Sequence, residues 1–268
     1  MLLNRNANNN KRGNWLVFPV LICILVIILF GAKDKIKEEF LEFIAPDKEE
    51  IEKIVQEFIE KNPKVIIHSL QEMQKRDHQE MKKQAQMKIH NKKDQLQGKN
   101  SDINIFAGNP NGDVVIVTFL DYRCGYCKHS NSSLKALLNQ DTNVKVVFKE
   151  LPVLGSPSQK LARTALAVYL LDPTKYMDFH NAIMDSRDPD DKFVHTTIVK
   201  LGLDPLKVEE LMKDPRVQKE LDQVEDLANQ LGVRGTPAFI FDEELIPGTM
   251  DTEAMLIKVK EVREVNKK

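Results

Sequence analysis

The chain has 268 residues, and its 42% hydrophobic content is enough for one domain of ordinary size with appendages. Its 39 basic and 40 acidic residues leave a net charge of -1. Because the Lys-rich stretches also contain Glu and Asp and lack interleaved aromatic residues, the composition argues against a nucleic-acid partner.

The N-terminal region has the layout of a secretory signal peptide or of an uncleaved signal anchor. Trp15 to Ala32 carry no charge and follow Arg5, Lys11 and Arg12. A helix over this run would be about 27 Å long, just enough to cross a membrane. We therefore expect residues 1–32 to direct export, with cleavage or retention both open, and residues 33–50 to form a charged tether.

Residues 51–100 are predicted to form a helical oligomerisation arm. Asn62-Pro63 separates two helical patterns, because Pro is favoured at the first position of a helix. Two apolar stripes have helical spacing: Ile51, Ile54, Val55, Phe58 and Ile59 in the first helix, and Val65, Ile66, Ile67, Leu70 and Met73 in the second. Association of copies into a dimer or trimer would bury them. The alternative is that both stripes dock on the chain's own globular domain.

Residues 101–268 alternate between strand and helix patterns. Strands are predicted at 103–106 and 114–120, followed by a helix that runs through residue 138 and a third strand at 144–148. A helical insertion follows at about 157–232. Two more strands, at 238–241 and 245–246, and a helix at 252–265 complete the order. This order predicts an α/β fold with one sheet flanked by helices.

The segment Cys124-Gly125-Tyr126-Cys127 directly follows the apolar run 114–120. At the start of a helix, free N–H groups and the helix dipole stabilise the thiolate of Cys124, which can attack a disulfide. Cys127, one turn later, can then resolve the mixed disulfide. The alternatives are half of a zinc site, a structural disulfide, or chance. The remaining cysteine, Cys23, lies in the apolar segment, and a disulfide across so short a loop would restrict the unfolded chain little.

A second candidate site segment precedes the strand at 238–241. Pro237 at the entrance of a buried strand cannot donate to the sheet, which predicts a fixed turn with a cis Thr236-Pro237 bond.

Three segments together give the chain a family resemblance: 119–127 (FLDYRCGYC), 147–155 (VFKELPVLG) and 232–239 (GVRGTPAF). They resemble the DsbA-like branch of the thioredoxin superfamily, over roughly residues 104–265. These are envelope thiol-disulfide oxidoreductases with a helical domain inserted into a thioredoxin fold, and they need no metal or organic cofactor. The stretch 55–73 looks like the oligomerisation region of relatives that form dimers or trimers.

The resemblance implies roles for individual residues. Cys124 would be the nucleophile, Cys127 the resolving thiol and Pro237 the cis-proline. Gly125, Tyr126 and the backbone of Thr236 would contact the substrate, with Thr236 pairing with an extended segment as a strand partner.

Two departures from the family pattern affect what carries over. Thr118 stands where many members have an acidic residue, six positions before the first cysteine. Either the buried proton acceptor is absent, or Glu150 or a water takes its place. Tyr126 replaces the His of strong oxidases, which predicts a weaker oxidant. Gly-Tyr with Thr-Pro is also similar to the pattern of DsbC-type isomerases.

The leading hypothesis is a periplasmic protein-disulfide oxidoreductase, soluble or tethered to the inner membrane. Its expected partners are unfolded or misfolded exported proteins and a redox partner that resets the cysteines. One alternative is an oligomeric disulfide isomerase or reductase that uses the same thiols. The other is a copper-binding or holdase module in which His129 joins the thiols.

Other polar residues carry weaker expectations. Lys149 and Glu150 would either tune the thiols or form an ordinary surface ion pair. The scattered histidines, expected to serve only packing or the surface, are His68, His78, His90, His180 and His195.

Overall fold

The computed structural model describes residues 47–99 and 101–267, together with Ile22 and Val26. The predicted signal or anchor and most of the tether lie outside the described residues. Within the described part, no helix combines the length and apolar character needed to cross a membrane. The chain forms two compact units, which divide between Lys75 and Arg76.

The first unit contains the predicted arm helices. Helix α1 covers Lys48–Lys61, and helix α2 covers Pro63–Asn91, continuing into the second unit. Asn62 caps α1 by bonding to the carbonyl groups of Phe58 and Ile59, and Pro63 begins α2 as predicted. The apolar residues of both stripes are 41–59% exposed, so they are available to another surface.

The second unit is built on a five-stranded sheet in the order β1-β3-β2-β4-β5. The strands are β1 Phe106–Gly108, β2 Val114–Leu120, β3 Val144–Glu150, β4 Ala238–Phe241 and β5 Glu244–Pro247. Strands β2 and β3 are parallel, and the other neighbours are antiparallel. Leu120 lies opposite Glu150, so the two central strands end at the same edge of the sheet.

The prediction of the first strand over 103–106 is wrong in its bounds, because only Phe106 belongs to β1. Ile103 and Ile105 are nevertheless buried, and the carbonyl group of Ile105 accepts a hydrogen bond from Phe148 N–H at 3.0 Å. Their apolar pattern therefore reflects an irregular segment that packs beside the sheet edge.

Helices cover both faces of the sheet. The central strands are rich in Val and Ile and are buried on both sides, as expected for strands between helical layers. One face packs against α4 (Gly125–Gln140), α10 (Thr252–Asn266) and most of the helical insertion. The other face packs against α9 (Pro215–Leu231), Ile89 and Leu96, the last of which ends the short helix α3 (Lys93–Leu96).

The predicted helical insertion lies between β3 and β4. It comprises α5 Ser156–Leu171, a 3₁₀ turn Pro173–Lys175, α6 Tyr176–Asp185, α7 Asp191–Lys200, α8 Pro205–Leu211 and α9. Asp190, Asp204 and Asp214 cap the last three helices by accepting hydrogen bonds from backbone N–H groups. The predicted α/β class with an inserted helical domain is confirmed.

Candidate active site

Cys124 and Cys127 lie where β2 leads into α4. Cys124 is the residue before the helix, in an extended conformation with φ -77° and ψ 114°, and its N–H donates to the carbonyl group of Asp121 at 3.1 Å. Helix α4 starts at Gly125, so the unpaired N–H groups of its first turn follow Cys124 directly. This is a helix start at which negative charge on sulfur is favoured.

Both thiols are reduced and nearly buried. Cys124 is 8% exposed and Cys127 is 3% exposed. Burial raises the pKa of the Cys127 thiol, although the N–H of Asp121, 3.5 Å from Cys127 Sγ, acts in the opposite direction. Cys127 is therefore a neutral thiol at neutral pH, while Cys124 is the cysteine at the mouth of the site.

The Thr236-Pro237 segment lies against Cys124. The bond between these two residues is cis, as predicted. The thiol of Cys124 donates a hydrogen bond to the carbonyl group of Thr236 across 3.2 Å. Two segments more than 100 residues apart thus meet at one edge of the sheet. Gly232, at φ +77°, ends α9 and turns the chain towards this loop.

Asp121, which organises the loops around the cysteines, is a site residue that was not predicted from the sequence. Its carboxylate is 1% exposed and accepts hydrogen bonds from Arg123 N–H at 2.8 Å, the Ser158 hydroxyl at 2.7 Å and Leu154 N–H at 3.0 Å. It therefore joins the loop after β2 to the loop after β3. A local signal for this role was present in the sequence. An Asp directly after a buried strand often accepts a hydrogen bond from the backbone N–H two residues later.

The surface around Cys124 exposes apolar side chains. Tyr126 is 71% exposed, and Val153 and Leu154 are 51% and 53% exposed. Gly125 has no atom within 4 Å of where a Cβ would stand, so it leaves the approach open. A groove of about 770 Å³ lies near the Thr-Pro loop, and its lining is mixed: Leu151, Pro152, Val153 and Val233 are apolar, whereas Arg163, Asp222, Glu225 and Arg234 are charged.

The surface ion pair that the sequence allowed for Lys149 and Glu150 is wrong, because both side chains are buried and they have different partners. Lys149 pairs with Glu220 at 3.4 Å. The hydroxyl groups of Tyr122 and Tyr176 lie 2.9 Å and 2.5 Å from Glu150 Oε1, within hydrogen-bond distance of it. Burial raises the pKa of Glu150 to about 8. Thr118 is also buried, at 2% exposure.

The histidines separate into one buried residue and several exposed ones. His180 is fully buried and its ring bonds to Tyr122 and Asn131, each at 3.0 Å, whereas His129 on α4 is exposed. In the part of the chain that the structure describes, no group of three or more His, Cys, Asp or Glu residues is placed to hold a metal ion.

Comparison with protein families and curated proteins identifies related chains. The model of the DSBA-like thioredoxin domain family matches residues 115–260. Disulfide bond formation protein D of Bacillus subtilis (strain 168) is 27% identical over 157 residues, which are 54% of this chain and 70% of that protein.

Solved structures give the same result. The thiol-disulfide exchange protein alpha-DsbA2 from Wolbachia pipientis has a TM-score of 0.63 and 33% identity, covering 68% of this chain and 97% of that one. Proteus mirabilis ScsC in a transitional conformation has a TM-score of 0.60 and 25% identity, covering 80% of this chain and 96% of that one.

Proposed function

The chain belongs to the DsbA-like thioredoxin domain family and is a thiol-disulfide oxidoreductase, and on this basis we propose that it forms disulfide bonds in exported proteins through Cys124 and Cys127. The observation that carries the proposal is the 3.2 Å contact between the Cys124 thiol and the Thr236 carbonyl group. It brings together a thiol at a helix start and a backbone group able to pair with an extended client segment.

The reaction follows from the different environments of the two thiols. A client thiolate attacks Cys124 Sγ of the oxidised pair, so the Cys124–Cys127 bond breaks and a mixed disulfide forms. The released Cys127 takes a proton, because its buried site disfavours the thiolate. A second client thiolate then attacks the client sulfur and releases Cys124 as a thiolate. The client leaves oxidised, the pair is left reduced, and a redox partner must reoxidise it.

The exposed apolar surface supports a protein client. Tyr126, Val153 and Leu154 surround the mouth of the site, and the groove beside the Thr-Pro loop has room for side chains of an unfolded segment. Gly125 lets the client backbone approach. Thr236 would pair with that backbone, and Pro237 would hold the loop in place. Export of the chain itself, to the periplasm in soluble or tethered form, is proposed from the sequence of residues 1–32.

A second candidate, an oligomeric isomerase, is favoured by the apolar stripes of α1 and α2. Their residues are 41–59% exposed in the single chain, so we propose that copies associate through them. The likeness to Proteus mirabilis ScsC covers 80% of the chain, more than residues 101–268 alone provide, and therefore extends to residues before 101. An isomerase would begin with reduced Cys124 attacking a client disulfide.

Trapping of mixed disulfides tests the proposed roles. Cys127→Ala should accumulate a covalent adduct with a scrambled client protein, because the Cys124 thiolate attacks a client disulfide and no second thiol resolves the product. The adduct is detected by non-reducing electrophoresis and is lost on adding dithiothreitol. Cys124→Ser should form no adduct. Equal trapping by both variants, or trapping only by Cys124→Ser, would reject Cys124 as the nucleophile.

Oxidase and isomerase activities can be distinguished by using two client proteins, one reduced and one with scrambled disulfides. Oxidation of a reduced client without reactivation of a scrambled one would support the oxidase. Reactivation of the scrambled client by the reduced protein in glutathione buffer would support the isomerase.

A further inference from the structure

A buried polar cluster lies below the active site and takes no part in the exchange steps. It consists of Glu150 at the end of β3, Tyr122 in the loop before α4, and Tyr176 and His180 on α6, each at most 2% exposed. Neither cysteine is among the hydrogen-bond partners of Glu150. The donors and acceptors available within this cluster indicate whether the Glu150 carboxyl group carries a proton.

The tautomer of His180 follows from its neighbour on the active-site helix. Asn131 donates through Nδ2 to Asn181 Oδ1 at 3.2 Å, which leaves Asn131 Oδ1 as an acceptor facing His180 Nε2 at 3.0 Å. His180 Nε2 therefore carries the proton, and Nδ1 is an acceptor. Burial lowers the pKa of His180 to about 3, so the ring is neutral.

The Tyr122 hydroxyl has one proton to donate and lies within hydrogen-bond distance of two possible acceptors. His180 Nδ1, 3.0 Å away, needs a donor, and Glu150 Oε1, 2.9 Å away, also needs one if Glu150 is ionised. Tyr122 cannot serve both. If Glu150 carries a proton on Oε1, it donates to the Tyr122 oxygen, Tyr122 donates to His180, and Tyr176 donates to Glu150, so these three contacts each have one proton. The longer contact between the two tyrosine hydroxyls, at 3.2 Å, is then left without a proton of its own.

The second carboxyl oxygen of Glu150 also favours the protonated, neutral acid. Glu150 Oε2 is buried and has no hydrogen-bond partner among the described residues. A lone oxygen of a neutral acid is far less costly to bury than an oxygen of a carboxylate. Lys149, the nearest residue along the strand, pairs with Glu220 and not with Glu150.

The surrounding charges also favour the neutral acid. Burial is the main cause of the raised pKa of Glu150, and the negative charges of Asp121 and Glu220 raise it further, while the two tyrosine hydroxyls oppose this shift. Burial likewise raises the pKa values of Tyr122 and Tyr176, so both keep their protons.

The cluster is the inner end of a row of contacts that joins α4 to α6 and the segment after it. Asn131 follows Cys127 by one helical turn. On either side of Asn131 in the same helix, Lys128 donates to the carbonyl group of Arg187 at 3.2 Å and Lys135 pairs with Asp185 at 2.9 Å. The helix that carries the cysteines is therefore held against the insertion along its length.

We propose that Glu150 is a positioning residue kept as a neutral acid: its proton frees Tyr122 to hold His180, and through Asn131 fixes the active-site helix against the insertion. It is thus not a replacement for the proton acceptor missing at Thr118. The effect on thiol exchange rests on the proposed function, whereas the protonation state does not.

The protonation state is measured directly by carbon NMR of the full-length protein labelled at the glutamate δ-carbons. One glutamate should titrate with a midpoint near pH 8 and should disappear from the spectrum of Glu150→Gln. If every glutamate titrates below about pH 6, close to the ordinary range, the proposal is wrong. This measurement uses the wild-type protein and needs no activity.

The positioning role is measured by the rate at which the mixed disulfide is resolved at pH 7. Glu150→Gln keeps a neutral group with a donor and an acceptor, so it should retain the wild-type rate. Glu150→Leu has similar size and no hydrogen bonds, and should lose about tenfold through misplacement of α4.

Each alternative has its own result. A loss of about 100-fold or more in Glu150→Gln would make the carboxyl group a proton acceptor and overturn the proposal. Wild-type rates in Glu150→Leu would show that the cluster does not position the helix. No exchange by the wild-type protein would reject the proposed function while leaving the NMR result intact.

Discussion

At the scale of the residue, the site depends on carboxyl groups in opposite situations. Asp121 is fully hydrogen-bonded and joins two loops, while Glu150 has one oxygen without a partner. Asp121 directly follows β2 and Glu150 is the last residue of β3, and burial makes each of them costly to disturb. They therefore affect stability in different ways.

Replacing Asp121 tests its role as a link between loops. In Asp121→Asn the amide nitrogen replaces one oxygen, so either Leu154 N–H or the Arg123 and Ser158 donors lose their acceptor. The free energy of unfolding should fall by about 1–3 kcal/mol in urea titration. Asp188→Asn, at an exposed carboxylate that pairs with Arg123, is the control and should change it by less than about 0.5 kcal/mol. Equal effects would show that Asp121 is not a structural link.

Glu150 should make stability depend on pH. Its pKa is about 8 when folded and about 4.3 in an unfolded chain. Between these values the folded state holds a proton that the unfolded state has lost, so the free energy of unfolding falls as pH rises, by up to about 1.4 kcal/mol per pH unit. Below the unfolded value the contribution is fully present, and above pH 8 it is lost.

Glu150→Gln should lack this slope. The free energy of unfolding of each protein is measured by chemical denaturation from pH 4 to pH 9. Subtracting the values for Glu150→Gln from those of the wild-type protein isolates the contribution of the Glu150 carboxyl group. Parallel profiles would contradict a raised pKa at Glu150.

At the scale of the element, the local chemistry of helix ends places the two halves of the site. Cys124 stands at the start of α4, and Gly232 ends α9 in the left-handed conformation four residues before Thr236. The sequence predicts the helix start at Cys124 from CxxC after an apolar run, and Gly after a helical run is a local signal of the same kind. Strand β1 was placed wrongly because buried residues outside a strand have a similar pattern.

Replacing Gly232 tests the turn that leads to the Thr-Pro loop. Gly232→Ala should lower the free energy of unfolding by about 1 kcal/mol, since φ is +77° and only the backbone conformation is strained. Gly235→Ala is the matched control, because it lies in the same loop without positive φ and also has no atom within 4 Å of an added Cβ. Equal destabilisation by both would reject the argument from conformation.

The buried polar cluster could not be predicted from the sequence, because it depends on how two helices pack. Tyr122 and His180 are 58 residues apart, and their contact depends on how α6 packs against α4. Neither periodicity nor spacing reports such packing. The family resemblance placed the cysteines and the Thr-Pro loop, but Glu150 was open to several interpretations until its burial was known.

At the scale of the whole molecule, the exposed stripes on α1 and α2 predict self-association. Phe58→Glu combined with Leu70→Glu places charge in both stripes and should lower the molecular mass measured by light scattering to that of a single chain. Gln56→Glu combined with Gln71→Glu adds the same charge at exposed polar positions and should leave the mass unchanged. A single-chain mass for the wild-type protein would contradict the prediction.

The second core cluster has a consequence for how this protein can be shortened. Ile89 at the end of α2 and Leu96 in α3 are 2% and 3% exposed and pack with Val117 and Ile240 of the central strands. A chain cut at Ser101 would therefore lose part of its catalytic unit and open one face of the sheet to water, with a cost of about 1.5–3 kcal/mol for each large apolar side chain lost. Protease or gene truncation should yield an active, soluble fragment only when the cut falls before Ile89, inside helix α2.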